Sequence, residues 1–250
     1  MHPYLEPRGF RAFAHRGDHD AGPENTMTAF QSAVDLGFVY LETDVHLSAD
    51  GVLFAFHDDQ LDRVSDARGA LAELPAETIR TARVGEREQV PLMADLLEAF
   101  PETRFNIEPK SDAAVAPLVQ LIKQTGSTAR VCIGSFSGKR IAEVRATLPS
   151  ACTSMGPLET TWARLQSLGL PTPGIAAHCA QVPRSQWGIR IVDRAFVTCQ
   201  QRHGRETHVW TVNDIDEMHR LLDLGVDGIM TDHPARLKSV LEARGLWTSA

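Results

Sequence analysis

The sequence predicts an α/β protein: a closed (β/α)8 barrel with a small insertion after the third strand region. Three observations lead there. Apolar, strand-like runs alternate with amphipathic stretches along the whole chain, which is the pattern of β/α units. About eight such runs can be counted, enough to close a barrel rather than leave an open sheet. The length of 250 residues also matches the roughly 250 typical of that architecture. No low-complexity linker or tandem short repeat interrupts the pattern, so residues 1–250 read as one domain with an insertion at about 58–92.

The first strand spans 10–17 and ends in His15-Arg16-Gly17. Pro23-Glu24-Asn25-Thr26 supplies a helix start, with Asn25 or Thr26 as the cap, and Gly37 suits the stop after Ala29, Phe30, Ala33 and Val34 at helical spacing. Strands follow at 39–47 and, through the tight turn Ala49-Asp50-Gly51, at 52–57, with no helix between them. From 58 to 92 periodicity is poor and polar residues dominate, with one short helix expected near 75–83. Then come a helix at 93–100, a strand at 104–110, a helix at 113–125, a strand at 131–136, a helix at 139–147 and a short strand at 152–156. The stretch 158–190 has the weakest pattern. Beyond it lie a helix at 191–202, a strand at 208–212, a helix at 214–224, a strand at 227–231 and a final helix at 235–243.

Hydrophobic residues make up 43% of the chain and charged residues 23%, a composition that excludes disordered, collagen-like and disulfide-framework classes. With 25 Lys and Arg against 32 Asp and Glu, the net charge of -7 argues against duplex nucleic acid as a partner. It still permits a locally basic site for one phosphate. The cysteines at 132, 152, 179 and 199 are 20, 27 and 20 residues apart, so no CxxC pair is present for zinc or redox chemistry, and all four read as buried reduced thiols. The first residues hold no apolar export core, and no apolar run reaches the ~18 residues of a membrane span. The expectation is a cytoplasmic protein that does not insert stably in a membrane.

In a β/α barrel the active site is built where the strands end, and four polar clusters fall there: His15 and Arg16, Glu42 and Asp44, His57 and Asp58, Glu108 and Lys110. Glu42 and Asp44 are two apart in an otherwise apolar strand, so both project to the lumen or its mouth. Two close carboxylates need a cation, a shared proton or solvent between them. With Glu108 they make a hard oxygen set suited to Mg²⁺ or Ca²⁺. A structural charge network, the acids pairing with Arg16 and Lys110, stays open on spacing alone. His15 and His57 could give and take a proton near neutral pH, and Arg16 could clamp phosphate oxygens with Lys110 as a second positive charge. Trp210 could wall the pocket and Asn213 could offer hydrogen bonds there, although core packing and helix capping explain them equally. His46 reads as a supporting or solvated histidine, His19 as exposed, and Asp232 as an equally plausible cap of the last helix. Phe136 stands at the centre of Gly134-Ser135-Phe136-Ser137-Gly138, so no serine nucleophile elbow is formed. P-loop, dinucleotide and zinc-protease motifs are missing as well.

The ordered set His15-Arg16-Gly17, Pro23-Glu24-Asn25-Thr26, Glu42-Thr43-Asp44-Val45, Asp50-Gly51, His57-Asp58 with Leu61 and Arg63, Asn106-Ile107-Glu108 with Lys110, Ser135-Phe136, Trp210-Thr211-Val212-Asn213 and Gly225-Val226-Asp227-Gly228 leading to Thr231-Asp232 and Pro234 resembles the glycerophosphodiester phosphodiesterase family. The resemblance covers nearly the whole chain. It implies a TIM barrel and one divalent cation, Ca²⁺ or Mg²⁺, on the residues matching Glu42, Asp44 and Glu108. It further implies His15 and His57 as the acid/base pair, Arg16 and Lys110 near the phosphate, and a small-molecule glycerophosphodiester as substrate. Pro109, where the family has an aliphatic residue, and the stretch 158–190 depart from the pattern.

Overall fold

The computed structural model describes residues 2–6, 9–186 and 188–247. Eight parallel strands run in chain order around a barrel: Arg11–His15, Tyr40–Leu47, Arg104–Pro109, Val131–Ile133, Cys152–Thr153, Cys179–Pro183, Glu206–Trp210 and Gly228–Thr231. Closure comes from a parallel bridge between Ser154 and Cys179 joining the fifth and sixth strands. On the first strand Phe13 pairs with Tyr40 and His15 with Glu42, while Arg11 pairs with Gly228 of the last strand.

Alternation along the strands creates two cores. Outward residues such as Ala14, Leu41, Phe105, Ile107, Ile133, Val182, Val209 and Ile229 pack under the helices. Inward residues, Phe13, Tyr40, Cys132, Cys152, Cys179 and Met230, fill the lumen with Tyr4 and Leu5. Tyr4 and Leu5 belong to a 3-10 turn, Pro3–Leu5, and Tyr4 is fully buried. The helices start where the sequence supplies caps. Thr26 Oγ1 accepts from Ala29 N at 3.3 Å, and Asp193 and Asp214 each accept at 2.8 Å from the amide three residues on.

The structure corrects the strand count in one member. The run at 52–57 is not a barrel strand: Leu53–Ala55 pairs antiparallel with the second strand, Val45 facing Ala55. Its apolar character serves the insertion, where Phe54, Phe56, Leu61, Leu71, Ile79 and Val84 form a separate small core. That insertion contains the expected helix, at Ala76–Thr81, and an antiparallel pair, Arg83–Val84 with Glu88–Gln89. The remaining barrel strand is Cys179–Pro183, inside the stretch with the weakest pattern, which also holds a helix at Pro157–Ser167. The next helix starts at Arg194 rather than 191 because Asp193 caps it. Of the cysteines, 132, 152 and 179 are buried, but Cys199 is only half-buried.

One glycine fixes the loop after the first strand. Gly17 has φ +88°, and a Cβ there would stand 2.7 Å from the Ala29 backbone carbon at the start of the helix Met27–Asp35. Gly17→Ala therefore combines backbone strain with a clash that neither rigid element can relieve. Chemical denaturation should show a loss of about 2 kcal/mol or more; an unchanged midpoint would contradict the close packing.

Candidate active site

A cavity of about 530 Å³ opens at the C-terminal ends of the strands. Eight of the nine predicted site residues line it: His15, Arg16, Glu42, Asp44, His57, Glu108, Lys110 and Trp210. Asn213 does not. Its Nδ2 donates to Asp232 Oδ2 at 2.7 Å, and its Oδ1 accepts from Thr231 Oγ1 and the Asp232 amide, both at 3.0 Å. The loop turns it toward Asp232, and it is not among the residues lining this cavity.

Both histidines are held by a carboxylate at Nδ1. His15 Nδ1 lies 2.6 Å from Asp232 Oδ1, and His57 Nδ1 lies 2.5 Å from Asp58 Oδ1. Each contact places the donated proton on Nδ1 and leaves Nε2 as the working nitrogen. His15 Nε2 stands 3.7 Å from Glu42 Oε2. Burial opposes charge on His15, but Glu42 and Asp232 outweigh it and raise its pKa. Burial also works against Asp232, yet the hydrogen bonds from His15 and Asn213 bring it down to about 2. Asp58 is lowered to about 2, first by Arg63 and then by His57. Arg63 Nε donates to Asp58 Oδ2 at 2.5 Å and its Nη2 donates to Glu24 Oε1 at 2.7 Å, while Arg16 Nη1 donates to Glu24 at 3.1 Å. The insertion, which carries His57, Asp58 and Arg63, is thereby tied to the loop after the first strand.

The acids occupy the interior side of the site. Lys110 Nζ bridges Asp44 Oδ1 at 2.8 Å and Glu108 Oε2 at 3.0 Å, and Arg16 Nε approaches Asp44 Oδ2 at 3.1 Å without hydrogen-bond alignment. Arg16 itself has φ +58°, a sparsely populated conformation that costs about 1–3 kcal/mol and that the loop maintains through Arg16 N to Glu42 O and Asn25 N to Arg16 O. Burial, then Asp44, push the Glu42 carboxyl up to about 7. Among the described residues, Glu42 Oε2, Asp44 Oδ2 and Asn106 Oδ1 find no hydrogen-bond partner although they are buried. Buried hard oxygens of this kind fit a divalent cation of the Ca²⁺ or Mg²⁺ type, with Arg16 and His15 the positive groups now beside Asp44 Oδ2 and Glu42 Oε2. The carboxylates of Glu42, Asp44 and Glu108 do not all lie within 4.8 Å of one another, and Lys110 stands between two of them.

Glu24, Asp58, Arg63 and Asp232 enter as the residues that orient the histidines and Arg16; Asp232 makes no side-chain cap of the last helix. His19 is half-buried, not exposed, with Nε2 3.8 Å from Asp232 Oδ1. His46 is buried and its Nε2 meets the His57 carbonyl at 3.0 Å, bracing that loop. Phe136 and Trp210 stack edge to face at the mouth, ring centres 5.5 Å apart.

Two carboxylate-oriented histidines, buried acids and the side chains of Arg16 and Lys110 thus share one cavity at the C-terminal end of a β/α barrel. The sequence profile of the glycerophosphoryl diester phosphodiesterase family matches residues 15–236. The chain is 37% identical to a probable glycerophosphodiester phosphodiesterase of Mycobacterium tuberculosis, over 99% of this chain and 96% of that one. It is 27% identical to a lysophospholipase D of Rattus norvegicus, over 92% and 86% of the two chains. A phosphodiesterase of Oleispira antarctica, solved with the product sn-glycerol-3-phosphate, superimposes with a TM-score of 0.79 at 23% identity, covering 94% of this chain and 97% of that one. The chain belongs to the glycerophosphoryl diester phosphodiesterase family and is a phosphoric diester hydrolase. No helix among the described residues is long and apolar enough to cross a membrane.

Proposed function

We propose that the protein hydrolyses glycerophosphodiesters to glycerol 3-phosphate and an alcohol, with His15 and His57 as the acid/base pair and Glu42, Asp44 and Glu108 holding one divalent cation, Ca²⁺ or Mg²⁺. The observation that supports this best is the repeated device at the two histidines, each fixed at Nδ1 by its own aspartate and each lining one cavity. A phosphodiester repels nucleophiles by its charge, so neutralising that charge comes first. Arg16 and Lys110 line the cavity on the side of the acids and supply positive charge to the phosphate oxygens there. When bound, the cation would add Lewis-acid neutralisation of the same charge. One imidazole then accepts the proton of the attacking oxygen, and the other returns a proton to the departing alkoxide. The product held by the Oleispira antarctica protein, sn-glycerol-3-phosphate, supports the substrate class.

Part of the cavity wall is apolar, formed by Phe136, Met155, Leu165, Ile189, Ile191 and Trp210. That wall favours a second substrate of the same chemistry, a lysophospholipid whose acyl chain lies along it. One assay tests both substrates and the cation: release of glycerol 3-phosphate from glycerophosphocholine and of lysophosphatidate from lysophosphatidylcholine. Chelation should abolish turnover and Ca²⁺ or Mg²⁺ should restore it. Full activity in exhaustively chelated protein would remove the cation from the mechanism.

A further inference from the structure

The lumen holds a second cluster that the phosphodiester site does not use. Cys132, Cys152 and Cys179, on the fourth, fifth and sixth barrel strands, are fully buried, and their Sγ atoms all lie within 4.8 Å of one another. Each stands two residues before one that lines the cavity, namely Gly134, Ser154 and Gln181, and His208 stands two before Trp210. Inward side chains recur every second residue along a strand, so these four form the next layer down, about 7 Å deeper. The thiols are therefore separate from the acids at the mouth.

Packing as small hydrophobes would explain buried thiols alone, but it does not explain the atoms around them. Cys132 Sγ and Cys179 Sγ are 3.9 Å apart. Two sulfurs at the tetrahedral angle on Zn–S bonds of ~2.3 Å would be about 3.8 Å apart. His208 is fully buried, and its Nδ1 makes no hydrogen bond among the described residues. Its other nitrogen, Nε2, donates to Glu206 Oε2 at 2.9 Å, and Glu206 is gripped in turn by Arg11 through Nε at 3.1 Å and Nη2 at 3.0 Å. A histidine whose outer nitrogen is fixed by a carboxylate presents the inner one as a ligand; metal-bound histidines are oriented this way. Room for the ring exists because residue 228 is glycine: a Cβ there would come within 2.9 Å of His208 Cδ2. The Tyr4 hydroxyl, on the N-terminal turn, is also buried and has no hydrogen-bond partner among the described residues.

We propose that Cys132, Cys152 and Cys179 form a three-sulfur site for a thiophilic divalent cation, Zn²⁺ being the ion these donors fit, independent of any cation at the phosphodiester site; His208 Nδ1, which lies outside the 4.8 Å set of the three sulfurs, would move in to supply the fourth donor. Thiolate and imidazole donors in a closed tetrahedral set are the chemistry of structural zinc. Thiol ligands give up their protons to an entering cation, so loading weakens as pH falls.

The test uses the full chain, without a histidine tag, produced in zinc-supplemented medium and passed through EDTA to strip the exposed mouth. Mass-spectrometric metal analysis should find one Zn²⁺ per chain. Growth with Co²⁺ instead should give thiolate-to-cobalt charge-transfer absorption, which carboxylate sites cannot produce. Asp44→Asn should keep that band, and the pair Cys152→Ala with Cys179→Ala should lose both band and zinc. If the double variant fails to fold, the wild-type measurements still decide. A wild-type chain that retains no zinc and shows no thiolate band, or an intact mass two hydrogens light from a disulfide, overturns the proposal. Zinc retained by a folded double-cysteine variant overturns it as well.

Discussion

His57→Ala is expected to lower the release of glycerol 3-phosphate by about 10² to 10⁴-fold, the range for removing a positioned acid or base, while thermal melting moves by only a few degrees. The separation of the two readouts follows from where the residue sits. Its side chain is one-third exposed, and its side-chain polar contact is with Asp58, which keeps Arg63 as a partner when the imidazole is gone. Little apolar area is uncovered and no buried polar group is orphaned, so the fold has little to lose. In the proposed mechanism turnover depends on Nε2 itself, and alanine cannot move a proton there. His15→Ala should be as inactive but less stable, because Asp232 would lose its imidazole partner in a more enclosed position. Initial rates and melting curves on the two variants check both statements. Turnover within a few-fold of wild type in either variant would remove that histidine from the acid/base pair.

What is legible in the sequence is what local pattern encodes. Glu42 and Asp44 stand two apart in an apolar strand, and the structure puts both into the lumen. His15 and Glu108 are legible in the same way, by ending strands. Partners contributed by distant segments are not legible: Asp232 meets His15 across 217 residues and Glu24 meets Arg63 across 39. No periodicity reports such pairs. The sixth strand, Cys179–Pro183, escapes because it carries a lumen-facing glutamine and ends in proline, leaving too short an apolar run. Leu53–Ala55 reads as a barrel strand because burial against a small satellite core looks the same in sequence as burial in the main one. The thiols show the converse. Spacings of 20 and 27 residues match no local ligand motif, yet they are about one β/α repeat, so the barrel itself brings those side chains together.

Asp232→Asn tests the positioning of His15 and carries the second largest expected effect. In the wild type the two Asp232 oxygens are divided: Oδ1 accepts from His15 Nδ1 and Oδ2 accepts from Asn213 Nδ2. An asparagine has only one acceptor oxygen, so its amide must face either the imidazole N–H or the Asn213 amide, donor against donor. Asn213 is unable to flip in compensation because its Oδ1 already accepts from Thr231 and from the residue 232 amide. His15 therefore loses its fixed tautomer or its orientation, and kcat should fall about 10² to 10⁴-fold with a much smaller change in KM. Stability should change in a pH-dependent way that a bystander would not show. Asp232 is depressed from 3.8 to about 2, so its contribution is present above the ordinary carboxyl pKa and is lost as pH falls through the folded value. The difference corresponds to about 2 kcal/mol. His15 has a raised pKa, so its share is complete below the ordinary imidazole value and is lost as pH rises through the raised one. Urea denaturation from pH 7 to pH 2 should accordingly give a profile for Asp232→Asn that is flatter than wild type by about 2 kcal/mol over the acid limb. Parallel profiles for the two proteins would mean that the ion pair does not set the state of His15.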